Sequence, residues 1–250
     1  MTPKPDPSRP QPSLMFKILV FLFRPFVMLM TKRTWRGAGN LPEGGFVAVS
    51  NHISDADPLT LYNFLIDHGI YPAALAKQEL FSNPLIARAL RAIGAIPVDR
   101  DTPQAHHSLR EARAALEAGT CVVVYPEATH TFDPDLWPMT GKTGAVRLAM
   151  TAGVPVVPIA QWGPQQFRHP HTKRFWLRRF DAQIVAGEPI YFPHKPDAAL
   201  HQEEVEEATA ALMLRIADLL STLRGEPAPE MLYERGTGMP ADAKQRRRRR

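Results

Sequence analysis

Phe46-Val47-Ala48-Val49-Ser50-Asn51-His52-Ile53-Ser54-Asp55-Ala56-Asp57-Pro58 is the stretch on which the fold turns. Its first five residues carry no charge and read as a buried strand. Five of the next seven are polar, and Pro58 then suits the first position of a helix, where a missing N–H has no partner to lose. A helix is expected from Pro58 to Asp67. The same unit of strand, turn and helix repeats outward from here. Strands are expected at Tyr71 to Ala76, Ala95 to Val98, Cys121 to Tyr125, Val154 to Ile159 and Gln183 to Val185. Helices are expected at Leu80 to Ile93 (despite Pro84), Pro103 to Ala118, Thr143 to Ala152 and Gln202 to Leu223. Such alternation predicts an α/β fold, a mixed and largely parallel sheet covered by helices.

With 250 residues, 44% of them hydrophobic, the chain can bury the core of one sizeable domain, expected over residues 35–224. The single cysteine, Cys121, excludes an internal disulfide and fits a reducing compartment. Within Cys-Val-Val-Val-Tyr it reads as a small buried hydrophobe rather than a reactive thiol. The first 13 residues hold five prolines and are expected to be disordered, as is the Pro-, Gly- and charge-rich tail from 225 to 250.

Net charge is +5, but Lys244 and Arg246 to Arg250 supply six positive charges, and the rest of the chain carries −1. Two further stretches are locally basic. One holds Lys17, Arg24, Lys32, Arg33 and Arg36, with no acid among residues 11–40. The other interleaves Arg168, Lys173, Arg174, Arg178 and Arg179 with Phe167, Phe175, Trp176 and Phe180. Cations beside aromatic rings suit an anionic lipid surface, and a solvated face is the alternative. Leu14 to Thr31 is strongly apolar yet interrupted by Lys17 and Arg24, so it holds no clean run of the roughly 20 residues that a bilayer span needs. Lys17, Arg24 and Thr31 fall on one side of a helix and Phe16, Leu19, Phe23, Phe26 and Met30 away from it. This predicts an apolar helix over residues 14–34 lying in a membrane interface, kinked at Pro25. A core-packing helix and a short tilted span are the alternatives.

Three turns after strands carry candidate chemistry. Asp57, five residues after His52, could fix one imidazole nitrogen and leave the other to take a proton; it could equally cap the helix at Pro58. Arg100, in Pro97-Val98-Asp99-Arg100-Asp101, could clamp a phosphate or pair with a neighbouring aspartate. Glu127 and Thr129, in Tyr125-Pro126-Glu127-Ala128-Thr129-His130-Thr131, could hold substrate oxygens, orient a neighbour or close a turn. Gly141-Lys142-Thr143 is not a P-loop, because Leu136 stands where the earlier glycine belongs. His106-His107 and His169-x-His171 lack the spacing of a metal site, and none is expected.

Taken in order, Asn51-His52 to Asp57-Pro58, Pro97-Val98-Asp99-Arg100, Tyr125 to His130 and Val154-Pro155-Val156-Val157-Pro158 resemble the four blocks of the glycerolipid acyltransferases. Ala76-Lys77-Gln78-Glu79-Leu80-Phe81 and Gly141-Lys142-Thr143-Gly144 look like further landmarks of that family. The resemblance covers about residues 35 to 190. It implies an enzyme of phospholipid biosynthesis that moves a fatty acyl chain from acyl-CoA or acyl-carrier protein to a lysophospholipid hydroxyl, 1-acylglycerol-3-phosphate first among acceptors. It makes His52 the base, Asp57 its partner, and Arg100, Glu127, Thr129 and His130 acceptor-side residues, with Lys77 a candidate oxyanion donor and no cofactor beyond the acyl carrier. It implies membrane lipids as partners, no specific nucleic acid, and residence at the cytoplasmic face of the cell membrane, peripheral or monotopic. Two positions depart from the family pattern. Ala128 replaces a glycine, which is strained if φ is positive there. His130 replaces an arginine and is cationic only below roughly pH 6.5 unless perturbed. The competing expectations are a non-catalytic binder of membranes or anionic polymers and an inactive family member.

Overall fold

The computed structural model describes residues 9–98, 105–234 and 239–240. Seven strands form one sheet: β1 (Thr31–Arg36), β2 (Phe46–Ser50), β3 (Ala73–Lys77), β4 (Ala95–Val98), β5 (Cys121–Val124), β6 (Val156–Trp162) and β7 (Phe180–Ala186). Their order across the sheet is β1-β7-β6-β2-β5-β3-β4. Every neighbouring pair is parallel except β6 with β7, so the sheet is mixed and largely parallel, as expected.

The period-two rule of a strand assigns the two core layers. On β2, Phe46 and Ala48 pack with Leu61, Phe64 and Leu65 of α2 (Asp57–Asp67) on one face. Val47 and Val49 pack on the other face with α4 (Ala105–Glu117), α5 (Gly144–Ala152) and α6 (Gln202–Arg224). Both faces of β2 are covered, which is why it reads as a continuous buried run. Leu80 to Ile93 is not one helix. A 3-10 turn (Gln78–Phe81) precedes α3 (Pro84–Ala92), because Asn83 caps α3 with bonds from the amides of Leu85 and Ile86.

The expected interfacial helix ends sooner than residue 34. α1 spans Leu14–Met30, capped by Ser13, and Thr31–Arg36 pairs in parallel with β7 instead. This edge strand buries Thr31 and exposes most of its other side chains, so no alternation marks it in the sequence. The polar stripe also differs from expectation. Arg24 turns into the protein beside Phe16 and Val20, while Lys17 faces outward. The reason is Asp67, at the end of α2, which pairs with Arg24 and also accepts from Trp35 Nε1 at 2.7 Å and Arg33 at 3.2 Å. Arg24 Nε donates to Asn63 at 3.1 Å. With its one buried charge paired inward, α1 leaves Leu14, Ile18, Phe21, Leu22, Phe23 and Leu29 exposed.

At both ends, described residues reach into segments that were expected to be disordered. Arg9 is buried, donates to the carbonyls of Pro42 and Gly44, and lies 5.5 Å from the Phe46 ring centroid. At the other end Leu232 is buried in the α4–α6 core, and β8 (Tyr233–Glu234) pairs with β9 (Met239–Pro240).

Candidate active site

β2 and β5 are central neighbours, and their carboxyl ends open into loops 51–56 and 125–131. Functional groups gather at this edge of an α/β sheet because parallel strands all end there. Asn51 fastens the first loop to β6: its Nδ2 donates to Gln161 O at 3.0 Å, and its Oδ1 accepts from Gln161 N at 2.9 Å. The Gln161 side chain donates to Ser50 Oγ and Asn51 O, each at 3.2 Å, and accepts from Thr60 Oγ1 at 2.9 Å. All of these residues are buried, so the loop starts from a saturated polar joint.

His52 follows, and its Nδ1 lies 2.8 Å from Asp57 Oδ2. The same oxygen accepts from the amides of Ile53 (2.5 Å) and Ser54 (2.8 Å). The Asp57 side chain therefore turns back to the loop rather than forward to cap α2, whose N-cap residue, Ala56, makes no side-chain cap bond. Of the two readings the sequence left open, capping is the one replaced. An oxygen already accepting two amides is an acceptor toward His52 as well. The hydrogen-bond network thus assigns the proton to Nδ1 and leaves Nε2 with a lone pair. Asp57 has no solvent exposure. Burial raises its carboxyl above the ordinary range, against the lowering effect of His52 and the two amides.

The second loop holds the first in place. Glu127 Oε1 accepts from the His52 amide at 2.9 Å and Oε2 from the Met139 amide at 3.1 Å. In return, the Thr131 amide donates to the His52 carbonyl at 2.9 Å. The resemblance put Glu127 on the acceptor side, with orienting a neighbour as the alternative; it is fully buried, and both its oxygens accept backbone amides. Burial pushes its carboxyl up to about 8. Tyr125 stacks on His52 with ring centroids 4.4 Å apart, and His130 meets the imidazole edge-on at 4.3 Å. Ala128 has φ 60°, the left-handed conformation that a glycine would adopt without strain.

His130 Nε2 lies 3.3 Å from Asp55 Oδ1, and Arg168 Nε lies 2.9 Å from Asp55 Oδ2. Burial first, then the adjacent His52, lowers His130 to about 4, so it is neutral at physiological pH. Thr129 is half-buried and makes no side-chain hydrogen bond among the described residues. Lys77 ends β3 at the same edge of the sheet, exposed, with β5 between its strand and β2. Arg100 lies outside the described residues.

The sequence did not single out Tyr125, Gln161, Asp55 or Arg168 for this site. Gln161 alone carried a signal, as a polar side chain inside an apolar strand. The Gly141 landmark finds its reason in packing. A Cβ there would fall 2.8 Å from Pro126 Cβ and 3.1 Å from Met213 Sδ, and the Lys142 amide bonds Pro126 O at 2.9 Å. Behind this brace lies a cavity of about 1150 Å³, walled by Tyr125, Pro126 and Ala128 and by Leu75, Val124 and Met213. His52 does not line it, and the Tyr125 ring stands between the two.

A buried carboxylate steering an imidazole at the end of a parallel sheet can remove a proton from a bound hydroxyl. The family model described as Acyltransferase matches residues 32–162, and the chain belongs to that family. It is an O-acyltransferase of the kind whose relatives serve phospholipid synthesis. The chain is 31% identical over 188 residues to the 1-acyl-sn-glycerol-3-phosphate acyltransferase of Bacillus subtilis, covering 74% of this chain and 86% of that one. It is 34% identical over 157 residues to the human 1-acyl-sn-glycerol-3-phosphate acyltransferase alpha, covering 62% of this chain and 54% of that one. It thus spans about half the length of the mammalian relative. The fold is that of the Thermotoga maritima 1-acyl-sn-glycerophosphate acyltransferase PlsC, with a TM-score of 0.63 at 23% identity, covering 86% of this chain and 82% of that one.

Proposed function

We propose that the protein transfers a fatty acyl chain from a thioester carrier, acyl-CoA or acyl-carrier protein, to the free hydroxyl of a lysophospholipid. The first candidate acceptor is 1-acylglycerol 3-phosphate, for which the Bacillus subtilis and human relatives are named. The observation that carries the reading is the fixed imidazole: Nδ1 held by Asp57 Oδ2 at 2.8 Å, with Nε2 left to act. The acceptor hydroxyl gives its proton to His52 Nε2 as its oxygen attacks the thioester carbonyl carbon. The tetrahedral oxyanion then collapses, the C–S bond breaks, and the imidazolium returns the proton to the departing thiolate. Asp57 stabilises the transient imidazolium, and no acyl-enzyme is needed. Cys121 offers no competing nucleophile, since burial raises its thiol well above the usual range.

Both substrates are amphiphiles, and the outward face of α1 supports docking at a membrane surface. Each large apolar side chain moved out of water there gains roughly 1.5–3 kcal/mol. Among the described residues, no helix is long and apolar enough to cross a membrane. The cytoplasmic face is the side on which the acyl carriers are expected. The test is the His52→Ala variant, assayed for transfer from radiolabelled acyl-CoA to 1-oleoylglycerol 3-phosphate. It should unfold at the wild-type temperature yet lose about 10²- to 10⁴-fold in kcat, the usual contribution of a positioned base. Undiminished turnover would refute the mechanism.

A further inference from the structure

The connection from β6 to β7, residues 163–179, leaves the sheet and returns across the mouth of the site. Two hydrogen bonds tie it to both catalytic loops. Ser54 Oγ donates to Arg168 O at 2.9 Å, and His171 Nε2 donates to Thr131 O at 2.8 Å. A third link is ionic, since Arg168 Nε lies 2.9 Å from Asp55 Oδ2, whose other oxygen faces His130. Asp55 therefore grips one corner of the guanidinium. The terminal Nη nitrogens make no hydrogen bond or ion pair among the described residues, and the side chain is about half exposed. Lys173, exposed on the same connection, stands close enough to add its positive charge at His130.

The position where the family carries an arginine is held here by His130, which meets Asp55 and the edge of His52 and carries no charge at neutral pH. A cation is thus missing from the second loop, and one is present on the neighbouring connection, held by the same Asp55 that meets His130. We propose that Arg168, with Lys173 behind it, forms a phosphomonoester-binding site next to His52, supplied by the β6–β7 connection in place of residue 130. This rests on the acyl-transfer reading and names the residue that would recognise its charged substrate. A planar guanidinium presents paired donors that match phosphate oxygens. In a 1-acylglycerol 3-phosphate the reacting hydroxyl and the phosphoester sit on neighbouring carbons, so a base and a phosphate site must be neighbours too. The 3′-phosphate of coenzyme A has the same chemistry and is the other source.

The experiment measures kcat/KM for wild type, Arg168→Gln and Arg168→Lys. The acceptors are 1-oleoylglycerol 3-phosphate and 1-oleoylglycerol, and the donors are oleoyl-CoA and its 3′-dephospho analogue. Arg168→Gln should reduce the preference for the phosphorylated acceptor at least tenfold, mainly through KM, and Arg168→Lys should restore part of it. A tenfold loss of preference in the donor pair instead would assign the same site to the carrier. Equal loss toward both members of each pair means a merely structural arginine and overturns the proposal, as does an unchanged preference in both pairs. Equilibrium binding of the two acceptors in detergent micelles separates this from the parent reading. If wild type transfers nothing but prefers the phosphorylated lipid, and Arg168→Gln abolishes that preference, the site stands and acyl transfer falls. If wild type shows no such preference in binding or turnover and none between donors, the site falls.

Discussion

Replacing Asp57 with asparagine tests how the site divides orientation from charge. Asp57 Oδ2 collects His52 Nδ1 and the amides of Ile53 and Ser54, while Oδ1 is buried without a hydrogen-bond partner. An asparagine placed the same way keeps its oxygen on all three donors and puts its NH2 where Oδ1 was. The flipped orientation would aim NH2 at two backbone N–H donors and is disfavoured. The variant therefore keeps the Nδ1–H tautomer and loses only the negative charge. A buried NH2 without an acceptor costs about 1–3 kcal/mol of stability, partly offset because a buried charge is removed. Loss of the charge-assisted part of the bond to the imidazolium, the difference between a charged and a neutral hydrogen bond, raises the barrier by about 1–1.5 kcal/mol, or about five- to thirteenfold in kcat. An Asp→Asn change that lets the tautomer flip costs about 10⁴-fold, a route that the two amides close here. The assay is initial-rate transfer to 1-oleoylglycerol 3-phosphate beside His52→Ala, with thermal unfolding followed by circular dichroism. Turnover within twofold of wild type would show that the charge is idle. Turnover as low as that of His52→Ala, with unfolding unchanged, would show that the amides do not hold the tautomer.

Two further outcomes follow from the second loop. Ala128→Gly relieves a left-handed φ of 60° and should raise stability by about 1 kcal/mol in urea denaturation; a fall would mean that the methyl group packs usefully. Glu127 is raised from 4.5 to about 8, so the folded state holds a proton that the unfolded chain releases. Its contribution is complete below about pH 4.5 and is lost as pH rises through 8, at up to about 1.4 kcal/mol per pH unit between the two. Glu127→Gln should flatten that slope in unfolding curves taken at pH 5, 6.5 and 8, and an identical slope would remove Glu127 as its source.

Where burial and local pattern agree, the sequence reads true. Phe46–Ser50 and Ala95–Val98 fall on their expected bounds, and α6 ends one residue beyond its expected limit. β1 escaped because an exposed edge strand is held by backbone pairing with β7, which no side-chain pattern records. Arg24 seemed to face solvent because its counter-charge, Asp67, belongs to another helix. The His52–Asp57 spacing admitted both a cap and a catalytic pair, and the choice lay in where the Ile53 and Ser54 amides point. Glu127 was legible as a polar residue after a buried strand, but its bonds to the His52 and Met139 amides were not, since they join loops remote in sequence. Arg168 was noticed only as one charge in a basic, aromatic cluster, because nothing local places it against Asp55.

The reciprocal bonds between His52 and the second loop carry a lesson for recombination. The backbone amide of His52 is received by Glu127, and its carbonyl by Thr131. Each loop is thus part of the other's mould. A chimera that imports the His52 loop from a relative while keeping the native Glu127 loop inherits a side chain without its seat. The two segments can be exchanged only as a pair, and the unit of inheritance for this chemistry is the joint between two strands rather than either motif.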